Sequence, residues 1–89
     1  MLYIVSYDLV EPDQRYEDLI NLIKQDKIWA RLGGSAYLVE SNLTAVELRD
    51  RYKEVLDGND KLYVGMVSAP AAWYGLSDQV SEWIKQYLK

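Results

Sequence analysis

The sequence contains no cysteine, no histidine and no phenylalanine among its 89 residues. Without cysteine and histidine it has no disulfide, no thiolate nucleophile, no histidine general base and no site of the usual zinc type. A bound metal would need oxygen ligands, which favours a hard cation such as Mg²⁺ or Mn²⁺. All aromatic residues are Tyr or Trp, 8 and 3 in number. These residues suit half-buried surfaces and interfaces, because each carries a polar atom on an apolar ring.

Long apolar runs and an excess of positive charge are also lacking. The chain shows neither a membrane span nor a basic leader followed by an apolar run, so we expect a cytoplasmic protein that does not contact membranes. The formal net charge of −4 disfavours a generic nucleic-acid binder and leaves room for a local basic patch. A chain of this length forms one domain, and domains this small bury a modest share of their surface, so we expect a homodimer.

The first eight residues, MLYIVSYD, are the strongest strand signal in the chain. They are rich in β-branched and aromatic residues, contain no Gly or Pro, and end on Asp8. Apolar side chains fall on both faces of this strand, with Tyr3, Val5 and Tyr7 on one face and Leu2, Ile4 and Ser6 on the other. A strand of this kind needs cover on both faces, which predicts a central position in a sheet.

The rest of the chain alternates helix and strand signals. A helix is predicted at residues 14–26 with Asp13 as N-cap, and a hairpin at residues 28–32 and 35–40 around Gly33-Gly34. A capping box of Thr44 and Glu47 begins a helix that runs to residue 56.

The C-terminal third continues this pattern. A strand is predicted at residues 61–68, where Gly65 indicates a bulge or a close backbone approach. Residues 69–75 are predicted as a connector, with a short edge strand at about residues 71–74 as the alternative. Ser77 is the predicted N-cap of a last helix at residues 78–88.

The resulting β-α-β-β-α-β order predicts an α+β fold of the ferredoxin-like type. It is one domain spanning residues 1–89, with its core at about residues 1–70 and a C-terminal connector and helix at residues 71–89. Helices would lie on one face of an antiparallel sheet, and right-handed crossovers would place the first and third strands in its middle. The last helix has three alternative positions: on the open sheet face, beside the other helices, or on a second subunit.

Asp8 is the leading candidate for chemistry because it ends the predicted central strand, where scaffold-held residues often act. As a metal ligand it needs further oxygen atoms, which a two-fold dimer or the nearby Glu11 and Asp13 would supply. Alternatively, Asp8 hydrogen-bonds a turn backbone and Asp13 only caps its helix.

Two further groups of residues have both a functional and a structural explanation. Ser35, after Gly-Gly, either contacts a phosphate or simply begins a strand. Trp29, Tyr37, Trp73 and Tyr74 either form an aromatic surface that contacts a nucleic acid or a protein partner, or belong to the core and a dimer interface.

Three cations also cluster in the sequence near the end of the first helix and in the second strand, namely Lys24, Lys27 and Arg31. They either form a small anion patch or, for the lysines, complement the dipole at the helix C-terminus.

Two of these segments resemble the Cas-two superfamily, the small adaptation subunit of CRISPR systems. Residues 3–9, YIVSYDL, resemble its first strand, and residues 34–40, GSAYLVE, resemble its third strand. The chain is most similar to solo, SinR-like members, which share a Trp-rich hairpin and a Trp-containing C-terminal tail.

The resemblance implies a homodimer in which the first-strand acids of two subunits face each other and share a divalent metal. Several members cleave RNA or DNA phosphodiesters, and only Asp8 carries over as a catalytic and metal-binding residue. In CRISPR adaptation, a part of antiviral defence, the dimer instead clamps DNA between integrase subunits. This chain departs from that role because it is acidic and lacks a dense basic arm.

Two hypotheses of function follow. The first is a homodimeric, metal-dependent endonuclease or ribonuclease, with Mg²⁺ or Mn²⁺ held by Asp8. The second is a non-catalytic module that binds a protein or a small ligand through its aromatic surface and C-terminal helix. A third, more remote reading is a ribonuclease of the toxin type.

Overall fold

The computed structural model describes residues 1–10 and 12–89, with side chains for all of these except residues 12–15. Glu11, one of the suggested metal ligands, therefore lies outside the described residues, as does the side chain of Asp13. The elements in chain order are β1 (Leu2–Asp8), α1 (Pro12–Gln25), β2 (Trp29–Gly33), β3 (Ala36–Glu40), α2 (Ala45–Tyr52) with a 3₁₀ turn (Lys53–Val55), β4 (Lys61–Met66) and α3 (Asp78–Tyr87).

The strands form an antiparallel sheet in the order β2-β3-β1-β4 within the described residues. The first and third strands lie in its middle, as the crossover rule predicts. Strand β1 pairs with β3 from Leu2↔Glu40 to Ser6↔Ala36, and with β4 from Tyr3↔Met66 to Asp8↔Lys61. The chain is thus a small α+β protein whose central strand ends on Asp8.

One face of the sheet is covered by α1 and α2. The amphipathic spacing of α1 turns Leu19 and Ile23 onto the sheet, and α2 contributes Leu48 and Tyr52. All four side chains are fully buried. From the strands, the same core receives Tyr3, Val5, Tyr7, Tyr37 and Val39.

Helix α3 covers the opposite face, which decides among the three positions left open by the sequence. Ile84 is buried there with Leu2 from β1 and Leu38 from β3. Ser77 caps the helix as predicted, since its hydroxyl accepts a hydrogen bond from the Val80 N–H at 3.2 Å. Among the residues described, no helix combines the length and apolar character that crossing a membrane requires.

The capping box of α2 is confirmed. Thr44 Oγ1 accepts from the Glu47 N–H at 3.1 Å, and Glu47 Oε1 accepts from the Thr44 N–H at 2.9 Å. The regular helix ends at Tyr52, and its last turn tightens into the 3₁₀ turn instead of continuing to residue 56.

Other predicted boundaries shift by a few residues. Helix α1 begins at Pro12, a residue suited to the first helical position, so Asp13 lies inside the first turn and not at the N-cap. Strand β4 ends at Met66, and residues 69–75 form a connector without a strand.

Gly65 is the site of a close approach and not of a bulge. The pairing of β4 with β1 continues past Gly65 without a register shift. A Cβ atom at this position would lie 2.7 Å from Cε1 of Tyr63, whose ring lies over the glycine on the same face of the strand. Any side chain here would displace that ring, which explains a glycine within a strand.

The buried stripe of α2 supplies a direct test of the fold. Leu48→Ala should lower the free energy of unfolding by about 2–5 kcal/mol, because it leaves a cavity in the core beneath the helix. Val46→Ala, on the exposed side of the same helix, should change it by no more than about 0.5 kcal/mol. Urea denaturation of both variants measures this, and equal effects would contradict the observed orientation of α2.

A polar cluster joins the end of α1 to α2. The Tyr52 hydroxyl and the Arg51 guanidinium both donate hydrogen bonds to the Asp26 carboxylate. Burial, and then the hydrogen bond to Asp26, raise the pKa of Tyr52 above its usual range, while Arg51 opposes the rise. Tyr52 therefore stays neutral in the folded protein well into alkaline solution.

This raised pKa predicts a loss of stability at alkaline pH. Unfolded tyrosine ionises near pH ~10. The stabilisation is therefore complete below that pH and is lost as the pH rises above it. Between about pH 9 and 11, Tyr52→Phe should show a shallower fall in unfolding free energy than wild type, by up to about 1.4 kcal/mol per pH unit.

The control for this experiment is Tyr74→Phe, because Tyr74 is fully exposed. It should keep the wild-type pH dependence. Identical slopes for wild type and Tyr52→Phe would contradict the assignment to Tyr52.

Candidate functional site

Asp8 lies at the end of β1 with an exposed side chain. Its partner across the β1–β4 pair is Lys61. A shallow cavity of about 200 Å³ opens at this end of the sheet. Its lining residues are Ser6, Tyr7, Asp8, Lys61, Leu62 and Tyr63. The carboxylate is thus accessible to a ligand from solvent without rearrangement of the strand.

The turn beyond β1 is held by Asp60 and not by Asp8. Asp60 Oδ1 accepts a hydrogen bond from the Val10 N–H at 2.9 Å, and Asp60 Oδ2 accepts one from the Asp57 N–H at 3.0 Å. Within the described part of the chain, the Asp8 carboxylate forms no hydrogen bond or ion pair. The alternative that Asp8 hydrogen-bonds a turn backbone stays a prediction, because residue 11 of the following segment lies outside the described residues.

A single chain offers few ligands for a metal at this position. Among the described side chains, those of residues 1–10 and 16–89, no three acids converge in the way that would hold an ion. One exposed carboxylate is a weak site, because Mg²⁺ chemistry on phosphates uses several oxygen ligands around the ion. Further ligands for a metal at Asp8 would have to come from Glu11 and Asp13, which lie outside the described side chains, or from a second molecule.

Ser35 lies near Asp8 although the two are distant in sequence. Ser35 belongs to the exposed turn of the hairpin, and its carbonyl accepts a hydrogen bond from the Tyr7 N–H at 3.1 Å. Since Tyr7 precedes Asp8, the two predicted residues lie at the same end of the sheet on neighbouring strands. Ser35 lies opposite Tyr7, so its side chain and that of Asp8 project from this end toward opposite faces of the sheet.

Aromatic contacts fix the hairpin turn to α1 at this end of the sheet. The rings of Tyr7 and Tyr16 meet edge to face with centroids 5.4 Å apart, and the Tyr16 hydroxyl donates to the Gly34 carbonyl at 2.7 Å. Burial raises the pKa of Tyr7, and the interaction with the neighbouring Tyr16 raises it further. Burial also raises the pKa of Tyr37. The nearby Arg31 opposes both shifts. Tyr7 and Tyr37 therefore remain neutral and act as structural contacts, not as bases.

The four predicted aromatic residues do not form one surface. Tyr37 is buried in the core, with its ring centroid 5.9 Å from that of Trp29. Trp73 lies against α3 instead, where its Nε1–H donates to Ser81 Oγ at 3.0 Å. Tyr74 is fully exposed. Tyr37 is therefore a core residue, which is one of the two explanations that the sequence allowed for these aromatic residues.

A second cavity, of about 510 Å³, runs along the outer edge of β2 beside α3, and we call it the β2–α3 groove. It joins Lys27 and Arg31, two of the cations that cluster in the sequence, to Trp83 of α3. Only the position of α3 on the sheet reveals this combination. The lining residues are Lys27, Trp29, Ala30, Arg31, Gln79, Val80 and Trp83.

Comparisons with known proteins yield one informative match. No protein-family model matches the chain, and no curated protein matches it. A similar solved structure is described as "Crystal structure of a hypothetical protein TT1823 from Thermus thermophilus". It aligns with a TM-score of 0.68 and 30% sequence identity, over 84% of this chain and 90% of the Thermus chain. With that identity over most of both proteins, the chain belongs to the same protein family as the hypothetical protein TT1823 of Thermus thermophilus.

Proposed function

We propose that this chain is a Cas-two-like homodimer with a ferredoxin-like fold, in which Asp8 from each subunit binds a shared Mg²⁺ or Mn²⁺ ion. The ion would activate water for cleavage of a nucleic-acid phosphodiester. The observation that carries the proposal is the state of Asp8, which is exposed at the end of the central strand and has no structural contact among the described residues.

The order of the strands supports the fold assignment. An antiparallel sheet ordered β2-β3-β1-β4, with α1 and α2 both on one face, is what a ferredoxin-like domain would show, and this supports the proposal. In this chain α3 covers the other face of the central strand, so the ends of that strand are its accessible parts. Asp8 occupies one of these ends.

Dimer formation follows from the shortage of ligands in one chain. A two-fold axis near Asp8 would bring two carboxylates to one ion. Lys61, opposite Asp8 on β4, would then attract the phosphate backbone of a substrate. Neither carboxylate needs to move from its strand for this arrangement.

A non-catalytic interaction module is the second candidate, and the free edge of β4 favours it. Within the described residues β4 pairs with β1 alone, and its Tyr63 and Met66 side chains are largely exposed. Open strand edges that expose apolar side chains pair readily with other chains. In this alternative the partner is a protein, and Asp8 has no catalytic role.

Asp8→Asn separates the two candidates. Mn²⁺ in excess of its dissociation constant should raise the melting temperature of the wild type, by about 4–8 °C for each kcal/mol of binding free energy. It should not raise that of Asp8→Asn, because the amide cannot replace an anionic ligand. The same variant should lose metal-dependent cleavage of labelled RNA and DNA while retaining its fold.

The matched control is Glu54→Gln, which removes one exposed acid on the 3₁₀ turn, outside the lining of the cavity at Asp8. Its metal response and its cleavage activity should equal those of the wild type. A wild type that neither responds to Mn²⁺ nor cleaves would refute the nuclease and leave the interaction module. Cleavage retained in Asp8→Asn would remove Asp8 from the mechanism.

A further inference from the structure

We propose that the β2–α3 groove binds a nucleotide unit, with its phosphate held by Lys27 and Arg31 and its base packed against Trp83. The site is distinct from Asp8. Strands β1 and β2 run in the same direction, since both are antiparallel to β3. Asp8 ends β1, whereas the groove lies beside the beginning of β2 at the outer edge of the sheet. The inference therefore does not rest on the metal site.

The charge of the groove is opposite to that of the whole protein. The chain carries a net charge of −4, yet the described lining includes Lys27 and Arg31 and no carboxylate. A third cation adjoins it, because Lys24 Nζ lies 5.0 Å from the centroid of the Trp29 ring. An anion is therefore attracted to this groove although the protein as a whole repels anions.

The backbone conformation of Lys27 independently supports a functional role for its side chain in the groove. Its φ angle is 72°, in the left-handed region where glycine is the favoured residue after a helix. A lysine in this conformation costs stability that a glycine would recover. The position thus places a cation in the groove at the expense of local strain, as is common for residues in functional sites.

The two tryptophans are fixed in position before any ligand arrives. Trp29 lies beside Tyr37 and beneath Lys24, and the Trp83 ring centroid lies 4.7 Å from that of Tyr87. Both indoles are half-buried and line the groove. An indole held in this way offers a flat face to a base at little cost in side-chain entropy.

The free edge of β2 adds hydrogen-bonding groups. The Ile28 carbonyl accepts from the Glu40 N–H at 2.9 Å, so backbone groups of alternate residues from Ile28 onward point toward β3. Those of Trp29 and Arg31 consequently point outward, along the groove. Unpaired N–H and C=O groups at this place suit the polar edge of a base or a phosphate oxygen.

Binding is best measured without metal, on the full chain, at low ionic strength. The probes are adenosine monophosphate, followed by tryptophan fluorescence, and a short labelled oligothymidylate, followed by anisotropy. A poly-glutamate peptide of matched charge tests whether charge alone explains any binding. Tighter binding of the oligonucleotide than of the mononucleotide would assign the groove to single-stranded nucleic acid, and the reverse to a free nucleotide.

The decisive variant is Lys27→Gly, because it should weaken binding while it stabilises the fold. Weaker binding in this variant could therefore not be attributed to unfolding. It should weaken binding about tenfold, as expected for the loss of one charge-assisted contact. It should also raise the melting temperature by about 4 °C, since the strain at this residue is released. Arg31→Gln and Trp83→Leu should weaken binding as well.

Lys53→Gln is the matched control, since it removes an exposed lysine on the 3₁₀ turn after α2, outside the groove. It should bind like the wild type. The proposal is overturned if neither nucleotide probe binds, if poly-glutamate binds equally well, or if Lys53→Gln weakens binding as much as Lys27→Gly. Asp8→Asn should bind the nucleotide probes in the β2–α3 groove as the wild type does. Failure of this proposal is therefore distinguishable from failure of the metal site.

Discussion

The fold depends on covering both faces of β1. Tyr3, Val5 and Tyr7 require one apolar layer, which α1 and α2 supply, and Leu2 requires a second, which α3 supplies. At about 25 cal/mol per Å² of apolar surface, leaving either face in water would remove a large part of the stability of so small a domain. The C-terminal helix is accordingly part of the folding unit and not an appendage.

The same constraint decides where function can be located. With both faces of the sheet occupied, the accessible positions are the ends of the strands and the outer edges of β2 and β4. Asp8 and Ser35 share one strand end, and the β2–α3 groove lies at the opposite end along the β2 edge. The acidic chain thus carries an exposed carboxylate at one end of the sheet and a groove lined by two cations at the other.

The local structure was largely predictable from sequence, because it depends on neighbours in the chain. The capping box at Thr44, the cap at Ser77 and the two-faced pattern of β1 were all recognisable as short patterns. The position of α3 was not, since three placements would bury the same apolar stripe. The proximity of Trp83 to Arg31 depends on that placement.

We propose that two Asp8 carboxylates share one divalent ion, and calorimetric titration of the purified protein with Mn²⁺ measures the stoichiometry. We expect one ion for every two chains, with a binding heat that disappears in Asp8→Asn. Analytical ultracentrifugation of the same samples should show a dimer in both proteins. One ion per chain, no binding, or binding that survives in Asp8→Asn would contradict the shared site.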